Sequence, residues 1–145
     1  MPNQISKHQH RTTYADCSVG NHIYYARYLD LLEAARGEFF RQQSVPFLAW
    51  QEQGLIFPVI ECHLRYKRPA RYDDLLTIEV WVTELGRVRL HFAYRITNQH
   101  GQLLIEAETH HVCATIEEKP RRAPEELVKA LAPFLAEAAV QSGKQ

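Results

Sequence analysis

The sequence has few cysteines and no spacing that would make them a structural framework. Its 145 residues include only three, Cys17, Cys62 and Cys113, and none of them belongs to a Cys-x-x-Cys pair. An odd number at wide spacing argues against a fold held by disulfides, and the missing pairs argue against a structural zinc site. We therefore expect a protein of a reducing compartment that is stabilised by a hydrophobic core.

The chain also lacks a surplus of charge of either sign and a long apolar run. Lys plus Arg and Asp plus Glu number 17 each, so the basic excess that nucleic-acid binding requires is missing. Charged residues interrupt every window long enough to cross a bilayer. The polar segment from Met1 to Tyr14 has no apolar stretch typical of a secretory signal. These absences predict a cytoplasmic protein that neither binds nucleic acid nor spans a membrane.

The residues that are present indicate one globular domain that begins with a long helix. Hydrophobic residues make up 46% of the chain and charged residues 23%, which is typical of a domain with its own core. From His22 to Arg41, apolar residues recur three and four positions apart, as on one face of a helix. Ser18 and Asn21, which are typical N-cap residues, stand just before this rhythm. The pattern predicts an amphipathic helix with a wide apolar face.

Beyond Pro46 the periodicity changes from helical to alternating. Strands with one buried face are predicted at 59–67, 76–83, 88–96 and 103–116, with a short first strand at 10–14. The alternation slips near Thr109, which predicts a bulge. A short helix is predicted to begin at Pro124.

The order of these elements predicts an α+β fold. Short turns between the later strands favour antiparallel neighbours, so we expect a curved antiparallel sheet of about five strands wrapped around one long central helix. The core is expected in residues 8–135, and the C-terminal tail is expected to fray. A sheet with one face on its helix commonly uses its remaining surface to form a homo-oligomer.

Two stretches of the sequence resemble the signatures of a known enzyme family. Tyr14–Arg36 reads Tyr-Ala-Asp-Cys-Ser-Val-Gly-Asn-His-Ile-Tyr-Tyr-Ala-Arg-Tyr-Leu-Asp-Leu-Leu-Glu-Ala-Ala-Arg, and Arg65–Asp74 reads Arg-Tyr-Lys-Arg-Pro-Ala-Arg-Tyr-Asp-Asp. The first resembles the Asp-x-Asp-x-x-Gly stretch and central helix of hotdog-fold acyl-CoA thioesterases of the 4-hydroxybenzoyl-CoA thioesterase type. The second resembles their Tyr-x-x-Pro-Ala-x-x-x-Asp block. The resemblance runs from about Arg11 to about Leu131, and it implies that residues 1–145 form a single hotdog domain.

The resemblance implies an activity, although two positions depart from the family pattern. It implies that a homodimer or homotetramer hydrolyses an acyl-CoA or acyl-carrier-protein thioester to a free acid and a thiol, without a cofactor. Ser18 stands where the family has its catalytic second acid, while the first acid is retained as Asp16. Asn21 replaces the glycine before the helix. Because asparagine tolerates a left-handed conformation better than most residues, we expect the turn to survive.

The catalytic hypothesis combines the start of the helix with the polar residues before it. Free backbone N–H groups at a helix N-terminus stabilise an oxyanion, and those around residues 22–25 are predicted to do so here. We predict that Asp16 and His22 form a pair that activates water, with Ser18 as a ligand of that water. Asp16 and Ser18 also suit a plain turn or capping role, and Glu33 on the helix is a weaker candidate acid. The predicted substrate-binding residues are Asn21, Ile23, Tyr24 and Tyr25.

Basic side chains near the mouth of a pocket would bind the phosphates of coenzyme A. Two clusters are candidates for this role, Arg87 with Arg89 and Lys67 with Arg68. Each cluster could equally be a solvated surface. No glycine-rich phosphate loop of the Walker or dinucleotide type is present.

The histidines give only a weak signal for a metal site. The pairs His8 with His10 and His110 with His111 lack a carboxylate or cysteine at the spacing of known metal sites. On a strand, His110 and His111 point to opposite faces. We therefore predict neither a metal site nor a cofactor.

Two other functions stay open at the level of sequence. The serine at position 18 favours a non-catalytic module that binds acyl-CoA with the same fold. His22 is compatible with a hotdog hydroxyacyl dehydratase, which uses a histidine together with an acid. The sequence does not determine the acyl chain.

Overall fold

A five-stranded antiparallel sheet forms the main layer of the protein. The computed structural model describes residues 2–43 and 47–136. In chain order the strands are β1 (Ser6–Arg11), β2 (Leu55–Ile56), β3 (Val59–Tyr66), β4 (Leu75–Leu85), β5 (Arg89–Thr97), β6 (Leu103–Val112) and β7 (Ala114–Thr115). The large sheet has the order β1-β4-β5-β6-β3, and β2 pairs with β7 separately. The predicted antiparallel sheet of about five strands is confirmed, with its first strand earlier than the predicted residues 10–14.

A long helix, α1 (Arg27–Gln42), packs against the inner face of this sheet. Its buried residues are Tyr28, Leu31, Leu32, Ala35, Phe39 and Phe40. On β4 the alternating residues Leu76, Ile78, Val80 and Val82 are completely buried. Two short helices, α2 (Phe47–Glu52) and α3 (Glu125–Leu131), complete the fold, and α3 follows Pro124 as predicted. The α+β architecture is confirmed, and the three cysteines are free thiols.

The central helix begins at Arg27, not at His22 as the apolar rhythm predicts. His22 forms an isolated bridge with Arg71, and Ile23 forms one with Cys17. In these bridges the Ile23 N–H donates to the Ala70 carbonyl and the Tyr24 N–H donates to the Asp16 carbonyl, both at 2.9 Å. Residues held in such bridges pair with another segment of chain and do not have a helical backbone. The predicted N-cap role of Ser18 and Asn21 is therefore wrong, because the N-cap residue is Ala26.

Strand β6 keeps its alternation through Thr109, which lies in regular register opposite Phe92 and Cys62. The nearby irregularity is in the neighbouring strand, where the register shifts between Val59 and Glu61 of β3, opposite His111 and His110. A bulge is therefore present close to the predicted position, on β3 and not on β6. Thr109 and His111 are polar residues at inward positions of β6, and both are buried. The apolar pattern breaks because the core contains polar groups, which must find partners there.

A chain of hydrogen bonds satisfies these inward polar groups. The Tyr94 hydroxyl lies 2.6 Å from Thr109 Oγ1, which lies 2.9 Å from His111 Nε2, and His111 Nδ1 lies 3.0 Å from the Phe57 carbonyl oxygen. Because that carbonyl can only accept, Nδ1 carries the proton and Nε2 accepts from Thr109. Arg36 Nη1 donates to the Tyr94 hydroxyl at 3.0 Å. The network ties α1 to the centre of the sheet.

His111 makes the stability of the protein depend on pH. Burial lowers the pKa of His111 from 6.5 to about 4, so the folded protein keeps this imidazole neutral. As the pH falls from about 6.5 to about 4, the unfolded chain takes up a proton that the folded chain does not, and up to about 3 kcal/mol of stability is lost. We expect His111→Gln to flatten this dependence, because a glutamine amide can also donate to Phe57 and accept from Thr109.

Urea unfolding at about pH 7 and about pH 4.5 measures the effect. The matched control is His100→Gln, because His100 is exposed in the turn between β5 and β6. A residual dependence remains in every variant, since burial also lowers the pKa values of His8 and His91. Equal losses of stability on acidification in His111→Gln and in the parent protein would contradict the prediction.

Candidate active site

Asp16 is a buried carboxylate at the centre of the signature segment. Its Oδ1 accepts a hydrogen bond from Arg27 Nε at 2.7 Å, while Oδ2 accepts from the Thr13 N–H at 2.9 Å and lies 2.7 Å from His10 Nε2. Burial by itself raises the pKa of Asp16, but the hydrogen bonds from Thr13, His10 and Arg27 outweigh it and lower the pKa to about 2. The group is therefore ionised at neutral pH, and it connects β1 to the start of α1.

The predicted pair of Asp16 and His22 is not formed. Within residues 2–43 and 47–136, the side-chain partners of Asp16 are Thr13, His10 and Arg27, and His22 is not among them. A carboxylate with a pKa of about 2 and both oxygens bonded is a weak proton acceptor. The structure therefore gives Asp16 a positioning role, and its catalytic role stays a prediction.

Ser18 and Asn21 belong to a tight turn that projects from the fold. The Asn21 N–H donates to the Ser18 carbonyl at 3.2 Å, and Asn21 has a φ of +65°, next to Gly20 at +85°. The expected left-handed conformation of Asn21 is confirmed. Ser18 is exposed, and its hydroxyl makes only a long contact of 3.5 Å to the His22 carbonyl. This hydroxyl is accessible to water, so its role as a water ligand stays a prediction.

Two of the four predicted oxyanion donors are used inside the fold. The N–H groups of Ile23 and Tyr24 are bonded to carbonyls in the bridges described above. The Ile23 side chain is also 4% exposed and lies in the core, which does not support its predicted contact with substrate. The other two, the N–H groups of His22 and Tyr25, have no acceptor among the described residues, and neither has that of Ala26, which was not among the predicted donors. Those of Tyr25 and Ala26 lie next to each other directly before α1 and remain available to an oxyanion.

Exposed residues of α1 and of the turn before it lie beside β3 at two points. The Tyr66 hydroxyl donates to the Tyr25 carbonyl at 3.2 Å, and the charge of Arg36 acts on the Cys62 thiol. We call the surface between these two points the edge trough, and its members are Tyr25 before the helix, Leu29, Glu33 and Arg36 one turn apart on the helix, and Cys62 and Tyr66 on the strand. Its apolar members Tyr25 and Leu29 are 64% and 46% exposed.

A cavity of about 370 Å³ adjoins the edge trough at Glu33 and Arg36. Arg36 lies eleven residues after Tyr25, or roughly 16 Å along the helix. Its Nε is buried without a partner, and among the described residues no carboxylate pairs with its guanidinium. Sequence reasoning missed Arg36, although a charged residue directly after the core position of Ala35 was the signal that could have revealed it.

The two basic clusters lie at opposite ends of the sheet. Lys67 and Arg68 follow β3 at the end where Ala70 bonds to the segment before α1. Arg87 and Arg89 lie at the beginning of β5, whose nine residues span roughly 27 Å. All four side chains are exposed. Of these four residues, Lys67 and Arg68 are the pair at the end of the sheet near the N-terminus of α1.

Comparison with known proteins identifies the family. The model of the thioesterase-like superfamily matches residues 12–131. Acyl-CoA thioester hydrolase YbgC of Escherichia coli O157:H7 is 34% identical over 119 residues, which cover 81% of this chain and 89% of the relative. The chain belongs to the thioesterase-like superfamily. The predicted family and the predicted thioester hydrolase are thereby confirmed, and the hydrolase is favoured over the acyl-CoA-binding module and the dehydratase.

Solved structures of similar proteins confirm the hotdog fold. TT1821, a hypothetical protein from Thermus thermophilus, superposes with a TM-score of 0.83 at 30% identity, covering 89% of this chain and 98% of that one. The DHNA-CoA thioesterase from Staphylococcus aureus superposes with a TM-score of 0.85 at 24% identity, covering 97% and 96%. No helix in the part of the chain that the structure describes is long and apolar enough to cross a membrane.

Because Asp16 positions the segment before α1, we predict that its replacement by asparagine destabilises the protein. Asp16→Asn removes the charge that Arg27 and His10 share, and we expect the free energy of unfolding at neutral pH to fall by about 2 kcal/mol. Because the pKa of Asp16 is lowered to about 2, its stabilisation is complete above about pH 4. The difference between variant and parent should shrink as the pH falls from about 4 to about 2.

Asp30→Asn is the matched control for this measurement by urea unfolding. Asp30 accepts from Nη1 of the same Arg27 at 2.9 Å, but its side chain is 61% exposed, so its removal should change stability little. If the two variants unfold at the same urea concentration, the buried carboxylate does not hold the segment as described.

Proposed function

We propose that the protein hydrolyses an acyl-CoA thioester whose acyl group lies in the edge trough. The observation that carries this proposal is the pair of backbone N–H groups, at Tyr25 and Ala26, that have no acceptor among the described residues at the helix end of an exposed apolar trough. The names of relatives support the reaction. YbgC of E. coli is an acyl-CoA thioester hydrolase, and a relative in Thermosynechococcus vestitus, 24% identical over 121 residues and covering 83% of each chain, is a 1,4-dihydroxy-2-naphthoyl-CoA hydrolase.

The trough suits a short or aromatic acyl group. Two exposed tyrosines belong to it, Tyr25 at 64% exposure and Tyr66 at 51%, and the adjoining cavity measures about 370 Å³. Such a volume is at the small end of ligand sites. Tyrosine rings stack on aromatic groups at favourable offset geometry. We therefore rank aromatic and short acyl groups above long chains.

In the proposed reaction, water attacks the carbonyl carbon of the thioester. The carbonyl oxygen then becomes the oxyanion. The N–H groups of Tyr25 and Ala26 donate to that oxyanion, and the helix N-terminus adds a favourable field. A base accepts the proton of the attacking water, the C–S bond breaks, and the thiolate takes up a proton as it leaves. The products are a free acid and coenzyme A.

His22 and Glu33 are the two candidates for the base. With the Asp16 carboxylate fully bonded, we propose the His22 imidazole as the group in the turn that acts as general base, and the Ser18 hydroxyl beside it as the group that binds the attacking water. Glu33 is favoured by its own observation, because it lines the cavity beside the trough. We propose His22 first, since it lies three residues before the free N–H group of Tyr25.

Release of free thiol from acetyl-, benzoyl- and palmitoyl-CoA tests the activity and the base together. We expect benzoyl-CoA to be hydrolysed fastest and His22→Ala to reduce kcat by about 10²–10⁴-fold. His100→Ala is the matched control and should keep full activity. Loss of activity only in Glu33→Gln would make Glu33 the base, whereas full activity in both variants would exclude both residues.

The same assay separates the alternative functions. Binding of acyl-CoA without thiol release from any substrate would indicate a non-catalytic module. Hydration of an enoyl-CoA, followed by the loss of its ultraviolet absorbance, would indicate a dehydratase. Either result would contradict the proposed hydrolase.

We propose that a second copy of the chain pairs along the edge of β3 and completes the site. Within residues 2–43 and 47–136, β3 pairs with β6 and leaves its other edge free, and its Val59 and Ile60 are 48% and 56% exposed. Unprotected apolar edges pair readily with another strand. Antiparallel pairing of two β3 strands about a twofold axis would join the two sheets into one.

Such a dimer would also bring the two basic clusters together. In an antiparallel pair, the end of one β3 lies beside the beginning of the other. Lys67 and Arg68 of one copy would then lie on the same side of the joined sheet as Arg87 and Arg89 of the second copy. We infer that coenzyme A is bound across the dimer, with arginines at its phosphate groups.

Ile60→Asp tests the edge. A carboxylate at this position disfavours strand pairing, so we expect the variant to be monomeric in light scattering and to lose most of its activity. Ile116→Asp is the matched control, because Ile116 is 58% exposed but lies outside the large sheet. A dimer that survives Ile60→Asp with full activity would contradict this interface.

A further inference from the structure

The outer face of the sheet, opposite α1, carries a cluster of histidines and glutamates that the proposed reaction does not use. Its members lie on four neighbouring strands, and each histidine lies next to a glutamate. We call this the outer histidine cluster, and it consists of Glu61, His63, Glu84, His91, Glu108 and His110. Glu61 and His110 are directly opposite in the register of β3 and β6, and His91 and His110 are opposite in β5 and β6.

Three of these side chains converge on one point. Glu61 Oε1 lies 3.0 Å from His63 Nε2 and 3.4 Å from His110 Nδ1, and one ligand atom from each residue lies within 4.8 Å of the others. We propose that Glu61, His63 and His110 bind a divalent transition-metal ion of the zinc type.

The spacing of the donor atoms fits such an ion. Ligands about 2.1 Å from a tetrahedral zinc ion lie roughly 3.4 Å from one another. The two distances from Glu61 are close to this value, so the ion can enter after small rotations of exposed side chains. Two imidazoles and one carboxylate are a donor set found in zinc sites that keep a fourth position for water.

The surroundings of His110 prepare it to be a ligand. Its Nε2 lies 3.0 Å from Glu108 Oε1, and in the tautomer that donates from Nε2 the Nδ1 atom has a lone pair for an ion. A carboxylate that accepts from the far nitrogen of a ligating histidine is the usual support of a metal site. The ring of His91 stacks on that of His110 with centroids 3.9 Å apart and an angle of 12° between the planes.

The charges around the cluster also favour a cation. Glu84 lies 3.3 Å from His91 Nδ1, so three carboxylates surround three imidazoles. Because successive side chains of a strand alternate between faces, Glu61 and His63 point away from the edge trough, and the metal is not required for hydrolysis.

Titration of the untagged protein with Zn²⁺ and Co²⁺ tests the proposal. The protein is first treated with a chelator and dialysed, Zn²⁺ binding is measured by calorimetry, and Co²⁺ coordination is followed by its visible absorption. We expect one ion per chain. His63→Ala and His110→Ala should each weaken binding at least about tenfold, and Glu108→Gln should weaken it roughly tenfold through the orientation of His110.

Two controls make the result decisive. His100→Ala removes an exposed histidine outside the cluster and should leave binding unchanged. Cys62→Ser removes a thiol on the opposite face of β3 and should also leave it unchanged. The proposal is overturned if His63→Ala and His110→Ala bind Zn²⁺ as tightly as the parent, or if Cys62→Ser abolishes binding. Thiol release by the parent protein, measured with and without chelator, tests the hydrolase independently of the metal.

Discussion

The paired carboxylate of Asp16 is the constraint on which the geometry of the candidate site depends. It joins His10 of β1 to Arg27 at the start of α1, and the intervening chain must close a turn between these anchors. A buried charge without partners costs several kcal/mol, so the Asp16 carboxylate requires His10, Thr13 and Arg27, and their hydrogen bonds fix the segment whether or not Asp16 touches a substrate. Ser18, two residues later, is exposed and does not hold two elements of the fold together. This difference explains how the second acid of the signature can be replaced while the fold is kept.

The sheet could be predicted from the sequence because burial there follows a simple alternation. On β4 the inward residues from Leu76 to Val82 are apolar and fully buried, so the period of two is unbroken. The start of α1 could not be predicted in the same way. Tyr24 and Tyr25 continue the apolar rhythm of the helix, and the bonds that exclude this segment from it come from Ala70 and Asp16. Information about distant partners is absent from a local pattern.

Prediction of the candidate site is limited even more by the fact that a local pattern contains no information about distant partners. The sequence identified the turn with Ser18 and Asn21, because turn chemistry is local. It did not identify the network of Arg36, Tyr94 and His111, in which each polar group is acceptable only because another element supplies its partner. The break in alternation near Thr109 has two causes, the buried hydrogen bonds of Thr109 and a register shift in the neighbouring strand β3. A polar residue at an inward position indicates either a bulge or a buried hydrogen bond, and only the fold distinguishes them.

Strand β3 connects the proposals, because one strand offers two faces and an edge. Its inner face forms a wall of the edge trough, its outer face carries Glu61 and His63, and its edge is free to pair. Side chains on opposite faces do not touch, so substitution of a metal ligand should leave the trough intact. The backbone, however, is common to all three surfaces. Pairing of the edge with a second copy would restrict the motion of Glu61 and His63, and so reduce the entropy that metal binding must overcome. Dimer formation and metal binding are therefore expected to reinforce each other.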